Sequence, residues 1–346
     1  MEFLFEYGLF FAKSVTVLVA ILVVIAFVFG ANQRHRDPEV GHIEVRNLND
    51  SLAEITNSLK AVVLHPEARK QDVKDEKKRA KQKQKAEKQE VKAGADSRLR
   101  LFVLDFKGDI QASEVTNLRE EITAVLSVAG EGDEVLVRLE SPGGVVHGYG
   151  LAASQLQRIR NRGVSLTVAV DKVAASGGYM MACIANKLIA APFAILGSIG
   201  VVAQLPNFHR LLKKNEIDFE VLTAGEYKRT LTVFGENTDK AREKFVDDLE
   251  DVHRLFKDFV SDHRPSVEIE EVATGEAWFG TRALDRKLVD ELKTSDEYLV
   301  DRCDEMDVFQ VRYVLHKHKL DVLMDKVTRL MSPVSTRQAI PTELIQ

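Results

Sequence analysis

Short apolar runs alternate with amphipathic segments along the part of the chain that begins near Leu99. The runs RLFVLDF, EVLVRLE and VSLTVAV are each typical of a buried strand. Residues 113–129 and 145–160, which lie between these runs, carry apolar positions at helical spacing, and Ser113 is the expected cap of the first helix. This alternation predicts α/β layers built on a mostly parallel sheet.

The N-terminal part of the chain has a different pattern, because residues 8–30 are almost entirely apolar. A bilayer core needs about 20 such residues in a helix, so this segment is a predicted uncleaved membrane anchor. Arg34 and Arg36 follow it and no Lys or Arg lies before it, so the positive-inside rule places the rest of the chain in the cytosol. A second apolar run, residues 189–203, is shorter and contains Pro192, which favours core strands.

Between the anchor and the α/β segment, leucines and other apolar residues recur at alternating spacings of four and three, which predicts a helix opened by Asn49 or Asp50. A Lys-rich stretch, residues 69–92, then predicts a solvated helical or disordered linker, with attraction to anionic lipid as the alternative. The predicted organisation is an anchor (1–30), a juxtamembrane segment and linker (31–98), an α/β domain (99–310) and an amphipathic basic tail (311–346).

Composition narrows the range of functions. The chain has 346 residues and a formal net charge of −5, so nothing in its overall charge indicates a nucleic acid partner. Its two cysteines, Cys183 and Cys303, have no metal-ligand spacing and are expected to be small apolar residues. No phosphate-binding loop or dinucleotide motif is present. We therefore expect neither a metal nor a cofactor.

Three glycine-containing stretches follow predicted strands, namely SPGG (141–144), ASGG (175–178) and GSIG (197–200). In parallel sheets, chemistry gathers at the loops beyond the carboxyl ends of the strands, although glycines are also common at purely structural corners. Ser176 stands at the predicted start of a helix, where unpaired backbone N–H groups and the helix dipole favour negative charge. Ser176 is therefore a candidate nucleophile at a place that could stabilise an oxyanion.

A serine nucleophile needs a base that accepts its proton. Of nine histidines, only His147 and His209 fall near the glycine corners, and neither has an evident acidic partner. A lysine can act as the base when burial lowers its pKa, and Lys228 follows a predicted apolar strand, FEVL, and an Ala-Gly turn. The residues alone leave open whether Lys228 is a base or an ordinary surface lysine.

The stretches SPGG, DKVAASGGYMMA, GSIGV and AGEYKRTLT, in this order and spacing, resemble the signal peptide peptidase A family of serine proteases. The resemblance covers roughly residues 99–292, together with the anchor and the Lys-rich linker. It implies the fold of Clp-type proteases and crotonases, which is built from repeated ββα units. It also implies a location at the bacterial inner membrane.

The resemblance further implies a role for individual residues. Ser176 would be the nucleophile and Lys228 the general base, and Ser198 would orient the lysine head. The backbone N–H groups of Gly144 and Gly177 would form the oxyanion hole. Clp-type relatives use a histidine that follows their serine, but this chain has none between Gly148 and Phe208, so a Ser-Lys dyad is favoured over a triad.

This sequence departs from the family pattern at two positions. Glu276 and Lys287 stand where the family would have Arg and Gly, and we expect both to lie away from the chemistry. Single-copy relatives form ring-like oligomers, which implies the same for this chain. The predicted long helix from Asn237 to about Val260 has one apolar face, which fits core packing and a subunit contact equally well.

The sequence therefore predicts a membrane-anchored serine endopeptidase that cleaves short apolar peptides, such as signal peptide remnants, and assembles as a ring of identical subunits. Two alternatives are a crotonase-like acyl-CoA enzyme, which would share the glycine oxyanion hole but lack the nucleophile, and a non-catalytic membrane scaffold. The sequence leaves open whether Ser176 and Lys228 meet within one subunit or across two.

Overall fold

The computed structural model describes residues 41–75 and 99–315, together with residues 8–11, 13–17, 19, 78 and 81–82. The chain divides into two compact units, and the larger unit, residues 43–313, carries both sheets. Among the described residues, no helix is both long and apolar enough to cross a membrane. Most of the predicted anchor, and the predicted tail beyond residue 315, lie outside the described residues.

The larger sheet has seven strands, and six of them, neighbours from one edge of the sheet inward, pair in parallel. In the order in which they lie side by side, the strands are β1 (His42–Asn47), β10 (Asp307–Val314), β2 (Arg100–Lys107), β3 (Glu134–Glu140), β4 (Ser165–Val170), β6 (Lys187–Ala190) and β9 (Glu291–Leu292). The strands predicted from RLFVLDF, EVLVRLE and VSLTVAV are confirmed as β2, β3 and β4.

A second sheet has three short strands, β5 (Val173–Ala175), β7 (Ile195–Gly197) and β8 (Ala277–Phe279), of which β5 and β7 are parallel and β7 and β8 antiparallel. The chain passes from β4 of the large sheet into β5 of the small one, and likewise from β6 into β7. An isolated bridge from Ser141 to Ala174 joins the end of β3 to β5. The predicted mixed α/β class is confirmed, and the stretch from β4 through β5 into the helix at residues 177–182 forms a ββα unit.

Nine helices with defined ends lie in the described part of the larger unit. They are α1 (Leu48–Val63), α2 (Val115–Val128), α3 (Val146–Asn161), α4 (Gly177–Ala182), α5 (His209–Lys214), α6 (Asp239–His263), α7 (Ile269–Val272), α8 (Gly280–Asp285) and α9 (Ser295–Glu305). Residues 66–75 are also helical. The helices predicted at 113–129 and 145–160 are confirmed as α2 and α3.

Two of the predicted helix caps are wrong. Glu114, not Ser113, is the N-cap of α2, and no side chain caps this helix. The backbone N–H of Ser113 donates to the carboxylate of Asp109, which precedes the helix. Asn47, rather than Asn49 or Asp50, caps α1 by accepting a hydrogen bond from the backbone N–H of Asp50. The side chain of Asn49 instead ties α1 to the domain, since its amide donates to the carbonyl groups of Cys303 and Met306.

Both faces of the large sheet are covered, but unequally. One face packs against α2, α3 and α4 in the main hydrophobic core, which contains fully buried residues such as Phe106, Leu156 and Tyr179. The other face carries a smaller cluster in which Leu101 and Val103 pack with Tyr298 and Leu299 of α9. Burial of this much apolar surface is the dominant favourable contribution to folding, and it fixes the positions of the strand ends.

Residues 201–238 follow β7 and contain little regular structure besides α5. The strand predicted from FEVL is absent, and Leu222 within it is 90% exposed. The rings of Phe208 and Phe219 instead pack on Phe234, with ring centroids 6.1 and 5.6 Å apart. Within the described residues, this segment contributes no strand to either sheet. The segment therefore presents an exposed apolar surface.

The long helix α6 begins at its N-cap Thr238, close to the predicted start. On its predicted apolar face, Phe256 is buried, whereas Phe245 and Leu249 near its start are half-buried. The C-terminal half of α6 therefore packs in the core, as expected of an amphipathic helix. The N-terminal half packs next to the exposed segment 201–238, through an ion pair between Lys240 and Glu226.

Lys287 adopts a left-handed backbone conformation, with φ at 60°. It follows α8 in the position at which a helix commonly ends with glycine, because its backbone N–H bonds to Leu284 and the next N–H, that of Leu288, bonds to Ala283. Left-handed backbone costs a residue with a Cβ about 1–2 kcal/mol relative to glycine. Lys at position 287, in place of the Gly of the family pattern, therefore raises the free energy of the local backbone conformation.

Glu121 on α2 has a buried carboxyl group, which accepts a hydrogen bond from the backbone N–H of Tyr313 at 2.9 Å while its Oε2 has no partner among the described residues. Desolvation raises the pKa of Glu121 from 4.5 to about 7. Because the pKa of Glu121 is higher in the folded protein than in the unfolded chain, its protonated carboxyl group stabilises the fold. This contribution to the free energy of unfolding is complete below about pH 4.5 and is lost as the pH rises through about 7.

We therefore expect Glu121→Gln to raise the free energy of unfolding by about 3 kcal/mol at pH values well above neutral and to change it little near pH 4. The glutamine keeps the acceptor for the Tyr313 N–H and cannot ionise. Urea unfolding at the two pH values measures this difference. Glu120→Gln, an exposed neighbour on α2, serves as the control and should show no such pH dependence. Equal effects of Glu121→Gln at both pH values would contradict the assignment.

Candidate active site

Ser176 lies at the corner where β5 ends and α4 begins. Its backbone has φ 51° and ψ −118°, a region that residues with a side chain rarely occupy. The corner is held because the Ser176 N–H donates to the carbonyl group of Gly197 at 2.8 Å and the Ser176 carbonyl accepts from Met180 at 3.0 Å. Strained backbone of this kind persists only where the surrounding structure holds it, and it clusters at functional sites.

Ser198 lies directly beside Ser176. Ala175 pairs with Gly197 in the parallel register of β5 and β7, so the next residues, Ser176 and Ser198, leave the sheet side by side. Ser198 also has a positive φ, 49°, and its N–H donates to the carbonyl group of Glu276 at 2.7 Å. The expectation that Glu276 lies away from the site is therefore wrong for its backbone, because β8 is the strand next to β7.

The glycines of the SPGG stretch lie against the Ser176 corner. A Cβ atom placed on Gly143 would be 2.8 Å from the Cβ of Ser176 and 2.8 Å from the backbone nitrogen of Gly177, so only glycine fits at this position. Within residues 99–315, neither the N–H of Gly144 nor that of Gly177 donates a hydrogen bond. Two free backbone donors therefore flank the serine.

The sequence did not single out three residues that surround these donors. Gly143 belongs to the SPGG stretch, in which the family pattern implies a role only for Gly144. Ser141 and Tyr149 are fully buried beneath the stretch, and their hydroxyl oxygens lie 2.5 Å apart. The usable signal was a tyrosine on the core-facing side of a predicted helix, since a buried tyrosine hydroxyl usually has a hydrogen-bond partner.

Lys228 lies on an exposed loop of the segment 201–238. Its backbone N–H bonds to Gly225 at 3.2 Å, and its neighbours Glu226 and Tyr227 contact Lys240 and Lys244 of α6. Within the part of the chain that the structure describes, no hydrogen bond joins Lys228 to Ser176 or Ser198. The single chain therefore brings together Ser176, Ser198, Gly144 and Gly177, but it does not bury Lys228 beside them.

The expectation that only His147 and His209 lie near the glycine corners is wrong, because a third histidine approaches them. His147 is exposed, whereas the Nε2 of His253 on α6 donates to the carbonyl group of Ile199, the residue after Ser198, at 3.2 Å. The position of His253 in the sequence is far from the corner, and only the packing of α6 brings it close. His253 therefore lies next to the Ser198 corner in the fold.

The described residues also bear on metal and thiol chemistry at this site. Within the described residues, no group of three or more His, Cys, Asp or Glu side chains could hold a metal ion. Cys183, at the end of α4, is buried, and desolvation raises the pKa of its thiol to about 12. A thiol with so high a pKa is a poor nucleophile at neutral pH.

The arrangement has the parts that acyl transfer requires, apart from a buried base. Ser176 stands at the start of a helix, the free N–H of Gly177 follows it directly, and that of Gly144 follows Gly143, which packs against Ser176. Such preorganised donors stabilise the negative charge that develops on a carbonyl oxygen during attack. A sharp strand-to-helix turn of this kind exposes the nucleophile in serine hydrolases.

Two family descriptions match the chain, Peptidase family S49 N-terminal over residues 2–156 and Peptidase family S49 over residues 158–308. The chain belongs to peptidase family S49. It is 51% identical over 320 residues to a protein named Probable protease SohB from Haemophilus influenzae, an alignment that covers 91% of this chain and 90% of that protein. It is 50% identical over 306 residues to Probable protease SohB from Buchnera aphidicola subsp. Schlechtendalia chinensis, covering 87% of this chain and all of that protein.

Among solved structures, the chain is similar to the 1510-N membrane-bound stomatin-specific protease, determined as a mutant in complex with a substrate peptide. That similarity has a TM-score of 0.41 and 14% sequence identity, and it covers 67% of this chain and 99% of the other.

Proposed function

We propose that the protein is a serine endopeptidase in which Ser176 is the nucleophile. The observation that carries this proposal is the strained corner at Ser176, φ 51°, with the free N–H groups of Gly144 and Gly177 beside it. Membership of a peptidase family and the relatives' name, protease, support the same reaction. The Ser176 hydroxyl attacks the peptide carbonyl, an acyl-enzyme forms as the amine leaves, and water then releases the acid.

We propose Lys228 as the general base and Ser198 as the residue that orients its amine. The support is the match to the family pattern and the position of Ser198 next to Ser176. A lysine acts as a base only where burial disfavours its charged form. Because Lys228 is exposed in the single chain, the proposal requires a further surface to cover it.

The exposed surface around Lys228 also supports assembly as a ring of identical subunits. The segment 201–238 that carries Lys228 exposes several large apolar side chains, among them Val202, Leu211 and Leu222. An exposed apolar patch of this kind commonly marks a protein contact. A neighbouring subunit that packed there would bury both the patch and Lys228, and the dyad would then form within the assembly.

We propose that the substrates are short apolar peptides, such as signal peptide remnants, and that the protein is anchored in the bacterial inner membrane with its catalytic domain on the cytosolic side. The apolar sequence of residues 8–30 and the basic residues that follow it support the anchor and the side. A reporter that is active on only one side of the membrane, fused after Gln346, tests this topology.

Labelling with a fluorophosphonate probe tests the proposed nucleophile. We expect the wild-type protein to be labelled and Ser176→Ala to remain unlabelled, because the probe reacts only with an activated serine hydroxyl. Ser154→Ala, which removes another serine hydroxyl on α3, is the matched control and should label normally. Label retained by Ser176→Ala would exclude Ser176 as the nucleophile.

A second candidate function is a non-catalytic membrane scaffold with the same fold, which the exposure of Lys228 favours. A scaffold needs neither the serine hydroxyl nor the lysine amine. It predicts that the wild-type protein is not labelled in any oligomeric state, so the same experiment separates the two functions.

A further inference from the structure

A directional chain of hydrogen bonds runs beneath the SPGG stretch. The Tyr149 hydroxyl donates to the backbone carbonyl group of Asp109 at 2.7 Å, and a carbonyl oxygen can only accept. The single proton of Tyr149 is therefore used, and the Ser141 hydroxyl must donate to the Tyr149 oxygen across their 2.5 Å separation. Ser141 in turn accepts from the backbone N–H of Gly143 at 3.1 Å.

This chain has only one arrangement of protons. Each hydroxyl donates once, and the direction runs from Gly143 through Ser141 and Tyr149 to Asp109. Tyr149 and Ser141 are both fully buried, so water does not offer an alternative partner. A buried network in which every group is satisfied holds its members rigidly.

The chain ends at the residue that lies against the nucleophile. Gly143 packs on Ser176 and Gly177, and it precedes Gly144, whose N–H is one of the two free donors. The N–H of Val145 is bonded to the carbonyl group of Ile110 at 2.9 Å, which fixes the other end of the stretch. The position of the Gly144 donor is thus set by Ser141 on one side and by Ile110 on the other.

Tyr149 also contacts the second donor. A Cβ atom placed on Gly177 would lie 2.4 Å from the ring of Tyr149, so the start of α4 packs directly against this ring. Gly108 leaves the space for both hydroxyl groups, because a Cβ atom there would lie 2.3 Å from the Tyr149 oxygen and 2.6 Å from the Ser141 oxygen. One side chain thus supports both free N–H groups.

We infer that Tyr149 and Ser141 are positioning residues that set the spacing of the Gly144 and Gly177 N–H groups across the Ser176 hydroxyl. This inference rests on the proposed function, since the spacing matters only if an oxyanion forms there. A misplacement of donors weakens binding of the transition state and leaves substrate binding largely unaffected, so kcat falls while KM does not rise.

The test is the steady-state kinetics of Tyr149→Phe, Ser141→Ala and the double variant, measured on a fluorogenic apolar peptide with the full-length protein in detergent. Tyr149→Phe keeps the ring against Gly177 and removes only the hydroxyl. We expect about a tenfold loss in kcat for each single variant, with KM within twofold of wild type. The double variant should lose no more than either single one, because both break the same chain.

Tyr179→Phe is the matched control, because its buried hydroxyl donates at 2.8 Å to the carbonyl group of Leu288 and takes no part in this chain. It should lower the melting temperature and leave kcat unchanged. A normal kcat in Tyr149→Phe, or losses that add in the double variant, would overturn the inference while Ser176→Ala remains inactive. Turnover by Ser176→Ala would overturn the proposed function itself, and the inference with it.

Discussion

Lys228→Ala is expected to lower the kcat of peptide hydrolysis about a thousandfold, which is the largest effect anticipated for any change other than removal of Ser176 itself. Proton transfer by a positioned side chain contributes about 10²–10⁴-fold to a rate. The serine hydroxyl remains in place but keeps its proton, and a neutral hydroxyl group is a weak nucleophile. Hydrolysis of an apolar peptide by the purified oligomer measures this loss.

Lys214→Ala is the matched control, because Lys214 is an exposed lysine of the same part of the chain and lies at the end of α5. It should retain wild-type activity. Mixing inactive Ser176→Ala and Lys228→Ala subunits before assembly adds a second measurement. Recovery of activity in the mixture would show that the two side chains meet across subunits, and its absence would place them within one. Unchanged turnover in Lys228→Ala would exclude the dyad and make His253 the next base to test.

The layered fold and the corner at Ser176 follow from local sequence patterns. The runs that become β2, β3 and β4 are continuous in apolar residues because these strands are buried on both faces, and such runs are recognisable without knowledge of the fold. The turn that carries Ser176 follows from small residues and glycines between a strand and a helix. The α/β class of the fold and the corner at Ser176 are therefore predictable from the sequence.

The surroundings of the corner depend on packing between distant parts of the chain. Nothing near Ser198 in the sequence indicates that Glu276 and His253 approach it, because β8 and α6 are brought there by tertiary contacts. The failed prediction of a strand at residues 219–222 has the complementary cause. A short apolar run becomes a strand only if its backbone pairs with a neighbouring strand, and residues 219–222 pair with neither described sheet.

The two missed hydroxyl groups show a further limit of sequence patterns. Ser141 and Tyr149 lie eight positions apart on a strand end and a helix, and their hydrogen bond depends on the angle at which α3 crosses the end of β3. Periodicity predicts that Tyr149 faces the core, but not which polar group it meets there. Buried polar pairs of this kind become visible only once the layers are assembled.

Gly144→Ala is expected to lower kcat by about 10²–10³-fold, the second of the large effects. A Cβ atom on this residue would lie 2.1 Å from the carbonyl oxygen of Ile110, and that oxygen is fixed by its bond to the Val145 N–H. Because both sides of the contact are backbone, the stretch has to move by about 1 Å, and a displacement of that size at a reacting centre can cost a hundredfold. The free donor at Gly144 then no longer faces the oxyanion.

The control for this substitution lies on the neighbouring helix. Gly150 on α3 has nothing within 4 Å of an added Cβ atom, so Gly150→Ala should keep full activity and gain about 0.5–1 kcal/mol of stability from the lost flexibility of the unfolded chain. Circular dichroism of both variants, together with kcat and KM, separates a local displacement from loss of the fold. A folded Gly144→Ala protein with wild-type kcat would show that this N–H does not contact the transition state, and the oxyanion hole would then have to be built from Gly177 and another donor.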